Sequence, residues 1–140
     1  MTVTAIPHPT GHPGYSEILP CEPRSAAVAR RLVRTALRAW GQEGLIDDGA
    51  LIVTELVANA ARHSGSRLIR VVISPSPGGF VRLGVVDRSR TLPMMRADSD
   101  AGNTRGRGLL LVDALTDRWG TDLYRWGKQV WGELRCEVRP

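Results

Sequence analysis

Lysine is almost missing from this chain: Lys128 is the single one, and the other 18 basic residues are arginines. Phenylalanine occurs once. The arginines are spread along the sequence and are not interleaved with aromatic residues, as they are on base-stacking surfaces. A formal charge of +5 therefore reads first as solvated surface, second as a face for an acidic protein partner, and last as a nucleic-acid site. Cysteine is scarce too. Cys21 and Cys136 form no C-x-x-C and no Cys/His cluster, which argues against a metal site. Two free thiols suit a reducing cytoplasmic setting, whereas a disulfide between the chain ends needs an oxidising one. No apolar run approaches the roughly 18–20 residues that span a bilayer. The start, MTVTAIPHPTGHPGY, lacks the basic-then-apolar order of a secretory signal.

What remains is ordinary for one globular domain: 140 residues, 42% hydrophobic and 24% charged, enough for a core without metal or disulfide. Residues 1–14 hold three Pro and two Gly with no periodicity and read as a flexible tail, leaving 15–140 as the domain. YSEILP reads as a short edge strand. CEPRSAAVARRLVRTALRAWG reads as an amphipathic helix over about 24–40, with Val28, Leu32, Thr35, Leu37 and Trp40 at helical spacing and Gly41 as its stop. A second helix runs from Asp47 to His63, with Asp47 or Asp48 as its cap and Gly65 as its end. The period then changes to two. RLIRVVIS and FVRLGVVD, joined by SPSPGG, predict a hairpin. The patternless stretch RSRTLPMMRADSDAGNTRGR is long enough to be a functional lid. GLLLVDALTD reads as helix, and RWGTDLYRW with KQVWGELRCEV as a closing hairpin around Gly127. This order predicts an α+β two-layer sandwich, with helices on one face of a mixed, mostly antiparallel sheet.

Three polar signals punctuate the apolar pattern. Glu55 and Asn59 in TELVANAARHS lie one helical turn apart, on one stripe. An Asn amide oxygen is a hard ligand suited to Mg²⁺, and a nearby Glu can deprotonate a nucleophile. Either residue could equally face water. Asp87 ends a strand and could accept a hydrogen bond from an exocyclic base amine or simply begin a turn; Ser89 and Pro93 continue the pattern. Gly106 and Gly108 precede Leu109, where glycine admits close backbone approach and a helix start attracts anions. Arg105 and Arg107 could meet phosphates or solvent. His63 reads as a helix-end residue rather than a base.

Taken together, these segments resemble the ATP-binding fold shared by gyrase-type topoisomerases, the heat-shock-90 chaperones, sensor histidine kinases and mismatch-repair ATPases (the Bergerat fold). More narrowly they resemble the small stand-alone serine-kinase anti-sigma regulators of bacteria. That family's first box, ELVxNAxxHS, matches from Glu55 to Ser64. Its second, V-x-D-x-S-x-x-x-P, matches at Val85, Asp87, Ser89 and Pro93. Its third, GRGLxLVxALxDxWG, matches from Gly106 to Gly120, and GKxVWxEL matches from Gly127 to Leu134.

The resemblance implies that Asn59 chelates Mg²⁺ bridging the ATP phosphates and that Glu55 is the base for a partner's serine hydroxyl. It implies that Asp87 holds the adenine amino group, and that Gly106, Gly108 and Leu109 offer backbone amides to phosphate. Residues Thr91 to Arg105 would be the lid. It further implies a cytoplasmic protein serine/threonine kinase acting on an anti-sigma-factor antagonist and able to sequester a sigma factor, in a family whose members often form homodimers. A non-catalytic interaction module is the rival reading; direct nucleic-acid or membrane binding is not expected. Two positions depart from the pattern. Asp87-Arg-Ser-Arg-Thr stands where the wider superfamily has D-x-G-x-G, and Gln129 stands where a Thr near the adenine is expected.

Overall fold

The computed structural model describes residues 3–6, 14–90 and 107–137. A six-stranded sheet is formed by β1 (Val3–Ile6), β2 (Gly14–Pro20), β3 (Leu68–Ser76), β4 (Phe80–Asp87), β5 (Arg118–Tyr124) and β6 (Gly127–Arg135). Their spatial order is β1-β2-β3-β4-β6-β5. Three helices, α1 (Ala26–Ala39), α2 (Ile46–His63) and α3 (Arg107–Leu115), make the second layer. The α+β two-layer sandwich stands. Every strand pair is antiparallel, so the mixed sheet expected from sequence lacks its parallel component among the described residues. Also among them, no helix is long and apolar enough to cross a membrane.

The amino-terminal reading needs correction. Val3–Ile6 lie within the stretch read as a tail, yet they pair with Gly14–Glu17. They place β2 inside the sheet rather than at its edge. The α1 stripe is also shifted. Ala29, Leu32, Val33, Ala36 and Leu37 are buried, while Thr35 is exposed together with Arg31, Arg34 and Arg38. In α2 the helix begins one residue before Asp47, and no side chain caps it. Asp47 and Asp48 instead sit in the first turn, where their charge favours the helix dipole.

Strand alternation sorts the two sheet faces. Leu19, Ile69, Val71, Ile73, Val81, Leu83, Val85, Val130 and Leu134 join the helices in one core. The β3–β4 turn has three residues, 77–79, and includes Gly78 (φ 88°) and Gly79 (φ 83°), left-handed conformations that glycine adopts without steric cost. On the opposite face an arginine–aromatic lattice stands in place of a second layer. Arg82 lies 4.0 Å over the Trp131 ring, and Arg118 lies 4.0 Å over Phe80. Between them Glu133, fully buried, accepts hydrogen bonds from Ser76 Oγ at 2.5 Å, Arg82 Nε at 2.8 Å and Arg118 Nε.

Candidate nucleotide site

Helix α2 buries Ile52, Val53, Leu56, Val57, Asn59 and Ala60. Asn59 is thus an amide inside an apolar stripe, 5% exposed. Glu55, one turn earlier, lies half-buried at the edge of that stripe. Among the described residues neither side chain makes a hydrogen bond, and the single fully buried side-chain polar atom without a partner is Trp40 Nε1, so the Asn59 amide keeps a tip open to solvent or a ligand. Their neighbour Thr54 is taken up structurally: it accepts from Arg30 Nη1 at 3.1 Å and donates to the Ala50 carbonyl at 2.7 Å.

Asp87 closes β4 on the helix-facing side. The antiparallel register sets it opposite Lys128, whose Nζ donates to Asp87 Oδ1 at 2.9 Å. The pair is almost dry, with side-chain exposures of 5% for Lys128 and 1% for Asp87. Oδ1 also accepts the Ser89 N–H at 2.7 Å, and Lys128 Nζ reaches the Ser89 carbonyl at 3.2 Å. One ammonium therefore ties the strand end to the turn that follows. Gln129, expected beside the adenine position, instead faces the other side of the sheet. There it lies against Gly84 and accepts from Tyr124 Oη at 3.3 Å. Lys128 is the residue the sequence reading missed; its signal was its being the chain's single lysine, next to Gly127.

Gly127 makes this approach possible. A Cβ there would meet Arg88 Cα at 2.8 Å and the Asp87 carbonyl oxygen closer still, and backbone cannot move aside as a flexible side chain can. Gly127→Ala is expected to destabilise the protein by about 1–3 kcal/mol through overpacking, read as a lower urea midpoint. Unchanged stability would mean that the β4 end is slack.

The element directions bring the signals to one end of the sandwich. A Cβ on Gly132 would touch Thr116, Ile52 and Val112, so the end of α3 and the start of α2 lie over the far half of β6. The start of α3 and the end of α2 therefore lie toward Lys128. At that end Arg88 N–H donates to Ser66 Oγ at 2.9 Å, linking the segment after α2 to the segment after β4. Arg107 and Gly108 fall in the first turn of α3, and Leu109 is buried there. Arg105, Gly106 and the lid expected from Thr91 to Arg105 lie outside the described residues.

Residues 19–131 match the histidine kinase-like ATPase domain family, and the chain belongs to that family. An uncharacterized protein of Streptomyces coelicolor is 32% identical over 74 residues, covering 50% of this chain and 69% of that protein. The solved RsbU and RsbW domains of a Mycobacterium tuberculosis protein superpose with a TM-score of 0.66 at 22% identity, over 91% of this chain and 33% of that one. The histidine kinase domain of a blue-light activated histidine kinase from Erythrobacter litoralis gives 0.50 at 19% identity, over 84% of this chain and 62% of that one. The chain thus spans a third of the first structure and under two thirds of the second. The fold is the Bergerat type.

Proposed function

We propose that this protein binds ATP with Mg²⁺ and acts as a regulatory protein serine kinase of the anti-sigma type. The observation that carries the reading is Asn59, an amide set in the apolar stripe of α2 with no hydrogen bond among the described residues, one turn from Glu55 at the Asp87 end of the fold. Such an oxygen suits a hard divalent cation that keeps several other oxygen ligands from phosphate and water. The donor set therefore fits Mg²⁺–ATP. Asn59 would hold the metal, Asp87 the base, and the backbone of Gly106, Gly108 and Leu109, with Arg105 and Arg107, the phosphates. When bound, the nucleotide and its metal supply an activated phosphoryl group with its charge neutralised. The chain's own part is positioning. Lys128 and the Ser89 N–H fix the Asp87 carboxylate. Glu55 accepts the proton of an incoming serine hydroxyl. The substrate would be an anti-sigma-factor antagonist, with sigma-factor sequestration a second role, a cytoplasmic setting and homodimerisation as the family allows. A solved neighbour that joins RsbU and RsbW domains in one polypeptide supports partner-based regulation.

A non-catalytic binding module is the second reading. It is favoured by the two donors that already converge on Asp87 Oδ1.

Calorimetric titration with ATP, with and without Mg²⁺, tests the proposal. Asn59→Ala is expected to weaken Mg²⁺–ATP binding by roughly 10–100-fold, the worth of a hydrogen bond or ligand contact to a charged group. Glu55→Ala should leave binding intact and abolish transfer to a serine-bearing antagonist. Asp87→Ala should erase the preference for ATP over GTP. Absence of ATP binding at millimolar levels would sink the kinase reading and leave the module.

A further inference from the structure

The sheet face turned away from the helices treats its arginines in two ways. Toward the β3–β4 turn, Arg82 and Arg118 are paired with Glu133, and Arg82 also with Asp122 at 3.2 Å. At the Asp87 end, no ion pair among the described residues involves Arg67, Arg70 or Arg88, and all three are exposed. Between them lies a cavity of about 410 Å³ with an apolar floor of Ile18, Leu68 and Val86 and a wall of Trp126. A second cavity of about 570 Å³ continues from Leu68 and Arg88 along Arg67. Ile18, Leu68 and Trp126 are 43%, 56% and 57% exposed. Trp131 on the same face is covered by Arg82, whereas among the described residues Trp126 has only Tyr124 stacked on it, at 5.1 Å. Among the described residues the sole acid lining either cavity is Asp87, and its carboxylate is held by Lys128.

From this we infer that the groove bounded by Leu68, Trp126, Arg70 and Arg88 docks an acidic segment of a partner protein, with apolar side chains seated on the floor and carboxylates on the arginines. Charge decides the occupant. A second copy packed through the same patch would set arginine against arginine across the two-fold axis, and like charges so juxtaposed are costly. A single-stranded nucleic acid wants several aromatic platforms, and the groove has one. Aliphatic floor plus guanidinium groups that have no ion pair among the described residues, Arg70 donating to Ser16 Oγ at 3.4 Å, fits acidic peptide best, since arginine is suited to bidentate carboxylate recognition. The groove shares the end of β4 with the candidate nucleotide site, and Asp87 belongs to its lining, but its floor and its arginine use the other face of the strand end, Val86 and Arg88. The docking inference therefore stands independently of the kinase reading.

The test uses the full chain and dye-labelled peptides followed by fluorescence anisotropy. The probe alternates glutamate with leucine; one control replaces glutamate by lysine, the other leucine by serine. The glutamate–leucine peptide is expected to bind, and both controls to bind at least tenfold more weakly. Arg70→Glu and Arg88→Glu should each weaken it roughly tenfold, and each should gain affinity for the lysine–leucine control. Arg31→Glu, an exposed reversal on α1, should change nothing. Raising salt from about 0.1 M to about 1 M, which shortens screening from ~10 to ~3 Å, should weaken binding severalfold. Equal loss from Arg31→Glu, or no loss from the groove reversals, would overturn the inference. Tighter binding of a single-stranded oligonucleotide would overturn it in favour of nucleic acid. A dimer by light scattering that Trp126→Glu splits would overturn it in favour of self-association. Circular dichroism of each variant checks that these surface changes leave the fold intact.

Discussion

Replacing Lys128 by methionine is expected to destabilise the protein by about 3–5 kcal/mol, the cost of leaving a buried charge without its partner. Methionine nearly matches the lysine stem in volume, so little of that loss comes from a cavity. What is removed is the ammonium that reaches Asp87 Oδ1 at 2.9 Å and the Ser89 carbonyl at 3.2 Å. Asp87, 1% exposed at its side chain, would keep only the Ser89 N–H among the described donors. For a domain of this length the effect should lower the melting temperature by roughly 10–15 °C. The double variant Lys128→Met with Asp87→Leu separates charge from packing: replacing both members of a buried pair by apolar groups is often neutral. Recovery of most of the loss in the double variant, measured as a coupling energy by urea unfolding, is the expected result. A single-variant cost under about 1 kcal/mol would show that solvent reaches Asp87 and that the pair does not hold the strand end.

The same pair shows where sequence reading stops. Helices α1 and α2 and the two hairpins were legible because hydrophobic spacing is a local property: the change of period after Ser64 marks the change from helix to strand. β1 was not legible. Val3–Ile6 carry no alternation of their own and become a strand only by pairing with β2, a contact made by the fold and not by the segment. The error at Gln129 is one of parity. A shift of one residue along a strand moves a side chain to the other face, and only the β4–β6 register decides that Lys128, not Gln129, meets Asp87. At the candidate site, the α2 signals were legible because four-residue spacing fixes their shared side in advance. That Asn59 is buried was not, because burial is set by what packs on the helix. Arg82 and Arg118 looked like scattered surface charge; three strands had to align before Glu133 could gather them.

Glu133 gives the second large effect, and it is pH-dependent. Burial alone pushes its carboxyl up, but the hydrogen bonds from Ser76, Arg82 and Arg118 and the nearby charge of Arg82 outweigh that and hold it below the ordinary value of 4.5. A depressed carboxyl pKa contributes stability that is complete above the unfolded value. That stability is lost as pH falls through 4.5 toward the lower folded value. Glu133→Gln keeps the shape and removes the charge, and it places an amide N–H₂ among three donors. Losing charge-assisted hydrogen bonds costs about 1.5–3 kcal/mol each, but Arg118 is 49% exposed and Arg82 25%, so solvent offsets part of the loss. A net cost of about 2–4 kcal/mol at neutral pH is expected. The gap between the two proteins should be constant above about pH 6 and narrow steadily below pH 4.5, as the native carboxylate takes up its proton and the two side chains become alike in charge. Urea unfolding at a series of pH values measures it. A gap that stays the same down to acid pH would assign the loss to packing and leave the carboxylate no electrostatic part in holding the outer face of the sheet together.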